Sequence, residues 1–276
     1  MTAPEPVAIR QLLATAARLA VPPTEVQPLS WSWQIYGESL ELHVERAYRS
    51  AGGYPAGRLA AIVCGVALHR AQLVFAALGA RGVVRLDNNP EHSQASVAWT
   101  GRHTATADDK AMLQALSGEI TPPQGIDTSP NDIEVLLSRA VRPFGVTTYR
   151  FDDAINRFLD ANAARRPSSA YGDLALITSG DTVADWLRAG HALSAAVLTA
   201  AVAGLTASVH SLAETPGMRA LLRSLAVPGG QPQILIRVAA ATKAVSELNG
   251  VPLPIASAIR ESGDLMWGSR CTVHGS

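Results

Sequence analysis

The sequence has little of what disulfide-stabilised, metal-binding or nucleic-acid-binding proteins need. Its 276 residues include two cysteines, Cys64 in an apolar run and Cys271 near the end, too few for a disulfide framework or a cysteine cage. The 23 basic and 23 acidic residues cancel, so no net field attracts nucleic acid or an anionic membrane. The seven histidines are scattered without helical ligand spacing. We therefore predict no metal site, no nucleic-acid partner and a buried thiol at Cys64.

Long hydrophobic runs are also scarce. Residues 1–6 lack the basic start of a signal peptide, and Arg10 and Arg18 interrupt the apolar stretch that follows. The most apolar segment, 192–205, is shorter than the roughly 18 residues that a membrane span needs. These features predict a core helix at 192–205, no membrane partner and a cytoplasmic location.

Apolar periodicity divides the chain into helices and strands in an irregular order. Helices are predicted at 7–20, 59–78, from Ser129-Pro130, from Thr182 and from Thr215-Pro216. Strands are predicted in a hairpin around Gly37-Glu38 and at 82–86, 95–99, 174–178, 207–211 and 233–238. Because strands and helices do not alternate regularly, the pattern favours an α+β fold over a doubly wound sheet.

An internal repeat is the most informative feature. A shift of 125 positions lays residues 65–84 over 190–209, and eight of the twenty pairs are identical. Each copy has a glycine before an alanine-rich helix, Gly65 or Gly190, and a second one after it, Gly79 or Gly204. Alanine-rich helices can match by chance, but the paired glycines favour duplication. Two copies in one chain predict an intramolecular pseudo-dimer.

The repeat and the composition together divide the chain into three segments. Residues 1–105 form the first half, and residues 171–276 form the second. Between them, the more polar residues 106–170 are predicted to be a connector with covering helices. Further association into a homo-oligomer stays open, since an internal pseudo-dimer neither requires nor prevents it.

Several short motifs occur in an order that is typical of one protein family. The second half contains Asp185-Trp186-Leu187-Arg188-Ala189-Gly190, Glu214-Thr215-Pro216 and Pro232-Gln233-Ile234-Leu235-Ile236-Arg237. The first half contains Gln27-Pro28, Arg58 and Cys64-Gly65-Val66-Ala67-Leu68. In this order they resemble the tandem nitroreductase-like proteins of actinobacteria, most closely over residues 173–238.

The resemblance implies a nitroreductase-like α+β sandwich with FMN in a groove between two related halves. NAD(P)H would reduce the flavin, which would pass electrons to a nitro compound or quinone. No catalytic side chain is expected, because this chemistry belongs to the cofactor. The candidate FMN-binding residues are Gln27, Ser30, Arg139, Arg142, Ser208 and Arg237.

The chain departs from the family pattern where the flavin would be anchored. The family motif asparagine, any residue, glutamine, proline, tryptophan, arginine is Glu25-Val26-Gln27-Pro28-Leu29-Ser30 here, without the asparagine and the arginine. In the arginine-rich run that ends in Arg142-Pro143-Phe144, Leu137 and Val141 replace basic residues. The alternative function is therefore a non-catalytic relative that sequesters flavin or binds a protein partner without flavin. Surface or salt-bridge roles are the alternative for the three candidate arginines.

Overall fold

The fold is known from a computed structural model that describes residues 6–20, 31–44, 54–86, 95–118, 129–151, 170–210, 216–225, 230–240 and 271–275. The chain forms two compact units, one of Met1–Ser117 with Pro252–Ser276 and the other of Gly118–Val251. Every strand pairing in the described ranges is antiparallel. Helices and antiparallel strands within each unit confirm the predicted α+β class.

The described residues of the first unit form one sheet of five strands and three helices. Its elements are helix α1 (Pro6–Leu19), strands β1 (Trp31–Tyr36) and β2 (Ser39–Val44), helix α2 (Tyr54–Ala77), strands β3 (Ala80–Leu86) and β4 (Ala95–Arg102), helix α3 (Ala107–Ser117) and strand β9 (Cys271–Gly275). The strand order is β3-β4-β2-β1-β9. The predicted first helix and hairpin are confirmed.

Helix α2 is the central helix of this unit. Nearly all of its side chains from Ala60 to Phe75 are buried, and they pack against α1, β3 and α3. The stretch Gly57–Ala77 is long and apolar enough to cross a membrane, but most of it is buried inside the protein, as in a core helix. The core helix predicted at 192–205 is also present, as the last part of a buried helix of the second unit that ends at Val202.

The second unit contains a sheet of four strands, packed by helices. Its elements are helix α4 (Pro130–Val141), a 3₁₀ turn (Arg142–Phe144), strands β5 (Thr147–Arg150) and β6 (Ala170–Thr178), helix α5 (Val183–Val202), strand β7 (Leu205–His210), helix α6 (Pro216–Leu225) and strand β8 (Gln231–Ala240). The strand order is β5-β6-β8-β7. Ser129 with Asp132 caps α4 and Thr182 with Asp185 caps α5, each as a capping box.

The two units share one topology. The described elements of each run helix, strand, strand, helix, strand, strand, except that α6 lies between the last two strands of the second unit. The sheet order β3-β4-β2-β1 in the first matches β7-β8-β6-β5 in the second. Under the 125-residue shift, the last residue of α2, Ala77, falls on the last residue of α5, Val202. Gly79 and Gly204 follow at φ +81° and +71°, so each glycine ends its helix in the left-handed conformation.

The two units differ in side-chain size at one pair of equivalent helix and strand positions. In the first unit, a Cβ added to Gly82 would lie 2.4 Å from the Phe75 ring, so the aromatic side chain occupies that space. The residues at the equivalent positions in the second unit are Ala200 and Ala207. The first unit thus has a large side chain on the helix and none on the strand, whereas the second has a methyl group at both positions.

The unit boundaries lie elsewhere than the three predicted segments. Residues 106–170 are not only a connector, because α3 packs on α2 in the first unit while α4 and β5 belong to the second. The last predicted segment also divides, since β9 pairs with β1 and adds a fifth strand to the first sheet. Composition could not reveal these long-range strand pairings.

Candidate functional site

A buried ion pair crosses the centre of the second sheet. Asp173 on β6 lies opposite Arg237 on β8, and their exposed fractions are 1% and 9%. Arg237 Nε donates to Asp173 Oδ1 at 2.9 Å, and Nη2 donates to Oδ2 at 2.7 Å. This bidentate geometry is the strongest that the two groups can form. The charge of Arg237 is therefore neutralised by its neighbour.

A second polar group lies where β6 ends and α5 begins, and we call it the β6–α5 polar cluster: Thr178, Gly180, Asp181 and Gln233. The fully buried Gln233 amide nitrogen lies 2.8 Å from Thr178 Oγ1, 3.2 Å from the Gly180 carbonyl and 3.3 Å from Asp181 Oδ1. These acceptors satisfy a polar side chain that would otherwise be costly to bury.

Asp181 connects the β6–α5 polar cluster to two helices. Its Oδ1 accepts a hydrogen bond from Trp186 Nε1 at 2.7 Å, and its Oδ2 accepts one from Arg223 on α6 at 2.9 Å. The carboxylate thus holds the beginning of α5 and the end of α6 to the same place. Each of its oxygens is engaged, so this carboxylate is a structural group.

The beginning of α5 is occupied by a second carboxylate. Asp185 Oδ2 accepts from the Thr182 backbone nitrogen at 3.1 Å and from its hydroxyl at 2.7 Å, and Arg188 pairs with Oδ1 at 3.1 Å. Gly180 approaches so closely that an added Cβ would lie 2.5 Å from Asp185 Oδ2. A helix start binds phosphate through open amides and a positive dipole. Here acidic side chains fill that position.

The six predicted FMN-binding residues are placed differently from one another. Gln27 and Ser30 lie outside the described residues. Arg139 and Arg142 are exposed at the end of α4, where cations suit the helix dipole.

Ser208 and Arg237, the remaining two, are brought together by strand pairing. Ser208 is exposed on β7 and pairs in register with Arg237 on β8. Because the guanidinium of Arg237 is bound to Asp173, the structure gives that residue the salt-bridge role that was the alternative to anion binding.

Two reactive residue types of the core are held in unreactive states. Burial raises the pKa of the Cys64 thiol to about 12, although a backbone hydrogen bond lowers it in part. Burial also lowers the pKa of His191, against a hydrogen bond to the Leu187 carbonyl at 2.9 Å that raises it. The His191 ring packs on Phe144 with centroids 5.6 Å apart. The Cys64 thiol therefore stays protonated near neutral pH and is not a nucleophile, whereas burial favours the neutral form of the His191 ring.

A groove of about 500 Å³ opens in the first unit between α1, the α2–β3 turn and β4. It is lined by Ile9, Gln11, Leu12, Thr15, Leu78, Gly79, Ala80, Trp99 and Arg102. The Trp99 side chain in this lining is half-buried. This volume lies within the range of small-molecule sites.

Sequence reasoning missed Asp173, Asp181, Gln233 and the groove. One signal was present: an acidic residue and a glutamine each stand within a strongly apolar strand, which indicates that a buried partner must satisfy them. Nothing comparable marks the groove, because its lining comes from three separate segments of the chain.

Comparison with known proteins adds no family assignment. No family model matches the chain, and no curated protein matches it. The α+β class and the shared strand order of the two sheets therefore rest on the structure alone.

Proposed function

We propose that this chain is a nitroreductase-like flavoprotein of the tandem type, which binds FMN and uses NAD(P)H to reduce a nitro compound or a quinone. The observation that carries the proposal is the shared topology of the two units, together with the 125-residue repeat. A duplicated unit within one chain supports a fused pseudo-dimer, which is the form that the sequence motifs resemble. Bound FMN would supply the hydride and electron transfer.

In this proposal the protein anchors and orients the cofactor. Arg139 and Arg142 are the candidates for the phosphate, because both are exposed and neither has an ion-pair partner among the described residues. Arg237 is a poor candidate because Asp173 already binds its guanidinium. Asp181 and Asp185 would repel a phosphate from the beginning of α5.

A flavin-free relative is the second candidate, and one specific observation favours it. The most deeply buried candidate arginine, Arg237, is committed to Asp173 rather than to an anion. The fold would then persist as a scaffold that binds a protein partner.

The visible absorption spectrum of the purified protein distinguishes the two candidates. We expect the absorption bands of oxidised flavin in the purified protein. If the protein is purified without flavin, we expect the bands of added FMN to shift as it binds. A stoichiometric complex that oxidises NADH or NADPH in the presence of menadione or a nitroaromatic acceptor supports the oxidoreductase. A complex without such turnover supports flavin sequestration. No binding at millimolar FMN contradicts the flavoprotein proposal and favours the flavin-free relative.

The anchor is tested by alanine variants of matched exposed arginines. Charge-assisted hydrogen bonds contribute about 1.5 to 3 kcal/mol, so Arg142→Ala or Arg139→Ala should weaken FMN binding by roughly 10- to 150-fold. Arg150→Ala is the control, because Arg150 is an exposed arginine of the same unit whose Nε lies 3.4 Å from Glu134. Equal FMN affinities in all three variants would contradict this assignment of the phosphate site.

A further inference from the structure

The groove of the first unit has the composition of a small-molecule site. Its walls are apolar where α1 supplies Ile9 and Leu12 and the α2–β3 turn supplies Leu78. Leu78 is a large apolar side chain with 51% of its surface exposed. Trp99 adds an aromatic side chain from β4. Such a surface gains free energy when an apolar ligand covers it.

One end of the groove carries a positive charge. Arg102, the last residue of β4, pairs with Ala80 in the sheet and has an exposed side chain. In the part of the chain that the structure describes, no carboxylate pairs with this guanidinium. None of the nine residues that line the groove is acidic. The charge complementarity therefore favours an anion.

The polar residues of α1 refine this picture. The Thr15 hydroxyl donates to the Gln11 carbonyl at 2.8 Å, so Thr15 is already engaged. The Gln11 amide is exposed on the same wall and offers both a donor and an acceptor. The groove thus combines one cation, one amide and an apolar body.

We propose that this groove binds a small apolar monocarboxylate, with its carboxylate on Arg102 and its hydrocarbon between Leu12, Leu78 and Trp99. A fork-shaped guanidinium matches a carboxylate in two parallel hydrogen bonds, which favours arginine for this ligand. A volume of about 500 Å³ accommodates a medium-chain fatty acid or an aryl carboxylate. None of the six candidate FMN-binding residues is among the residues that line the groove.

Calorimetric titration of octanoate into the full chain tests the proposal, with octanamide as the neutral ligand of matched size. We expect saturable octanoate binding in the micromolar to millimolar range and weaker octanamide binding. Arg102→Gln should weaken octanoate binding about tenfold or more and leave octanamide binding unchanged. Arg85→Gln, a change at an exposed arginine of β3 outside the groove, should affect neither ligand.

A second variant tests the apolar part without changing the charge. Thr15→Trp places a bulky side chain in the groove and should weaken both ligands, while thermal melts establish that each variant is folded. The proposal is overturned if octanoate does not saturate a site, or if Arg102→Gln and Arg85→Gln bind it equally. Competitive displacement of octanoate by FMN would also overturn it, because the groove would then belong to a flavin site.

Discussion

Asp173 and Arg237 lie opposite each other on neighbouring strands, and two short hydrogen bonds join their buried side chains across β6 and β8. Sixty-four residues separate them in the sequence. Burying both charges costs desolvation free energy, which is offset only while each charge keeps its partner. This relationship explains why an arginine within an apolar strand need not bind a ligand.

Removing one member of this pair should be strongly destabilising. We expect Arg237→Ala to lower the free energy of unfolding by about 3 to 5 kcal/mol, because it leaves Asp173 buried and unpaired. The double variant Asp173→Leu with Arg237→Met should recover most of that loss. Arg188→Ala removes an exposed guanidinium from Asp185, which keeps its hydrogen bonds to Thr182, and should cost no more than about 1 kcal/mol. Urea denaturation measures all three, and an Arg237→Ala loss below 1 kcal/mol would contradict the assignment.

Substitution of the glycine after α2 or the glycine after α5 should lower the free energy of unfolding by a similar amount. Gly79 and Gly204 have φ angles of +81° and +71°, which L-residues rarely adopt. Gly79→Val and Gly204→Val should each cost about 1 kcal/mol or more. Gly57→Ala is the control, because Gly57 lies within α2 with open space around its Cα, and it should stabilise by about 0.5 to 1 kcal/mol. Unchanged thermal melts in both valine variants would refute the prediction.

The effects of substitutions at Phe75 and Gly82 on stability should depend on each other. Gly82→Ala should cost about 1 to 3 kcal/mol, because the new methyl group meets the Phe75 ring and Val97. Phe75→Ala should cost about 3 to 5 kcal/mol through the cavity that it leaves. The double variant reproduces the alanine pair at positions 200 and 207 and should cost less than the sum of the two single changes. Additive costs in a double-mutant cycle, measured by urea denaturation, would contradict the close contact between positions 75 and 82.

Cys64 should be inaccessible to thiol reagents in the folded protein. In a Cys271→Ser background, we expect the aromatic disulfide reagent DTNB to modify Cys64 at pH 8 only after denaturation. Burial raises the pKa of this thiol from 9.0 to about 12, so the unfolded chain releases its proton first. The stability that the thiol contributes is complete below pH 9 and declines as the pH rises toward about 12. Cys64→Ala should reduce that decline, and rapid labelling of the native protein would contradict the prediction.

Local features of the fold could be predicted, whereas long-range partners could not. The helix starts at Ser129 and Thr182 and the glycine that follows α5, Gly204, each depend on residues within a few positions, and all three are present. Strand β9 was missed, because its pairing with β1 joins segments more than 200 residues apart. Nothing in residues 271–275 indicates that partner.

The candidate site was harder to predict than the fold, for a related reason. The sequence does not distinguish an arginine that binds a phosphate from one that binds an aspartate. The role of Arg237 follows from the strand register that places Asp173 opposite it. That register could not be predicted from the sequence pattern. Trp99 and Arg102 likewise become a site only when α1 folds beside β4.

The pH dependence of stability should report on His191. The Nδ1 of its ring lies 2.9 Å from the Leu187 carbonyl and donates to it, and burial keeps the pKa of the ring below its ordinary value. In the unfolded chain the imidazole titrates near its ordinary pKa of about 6.5. Between these two values the unfolded state binds more protons, so the free energy of unfolding rises with pH.

The stability from His191 is therefore present above about pH 6.5 and is lost as the pH falls through the lower, folded pKa. We would measure urea denaturation from pH 5 to pH 8 for the unmodified chain and for His191→Val, which carries the residue found at the equivalent position, Val66, of the first copy. The variant should lose part of the acid sensitivity, because a neutral side chain takes up no proton on unfolding. Equal dependence on pH in both proteins would show that His191 accepts a proton in the folded state as readily as in the unfolded one. That result would contradict the lowered pKa of the buried ring.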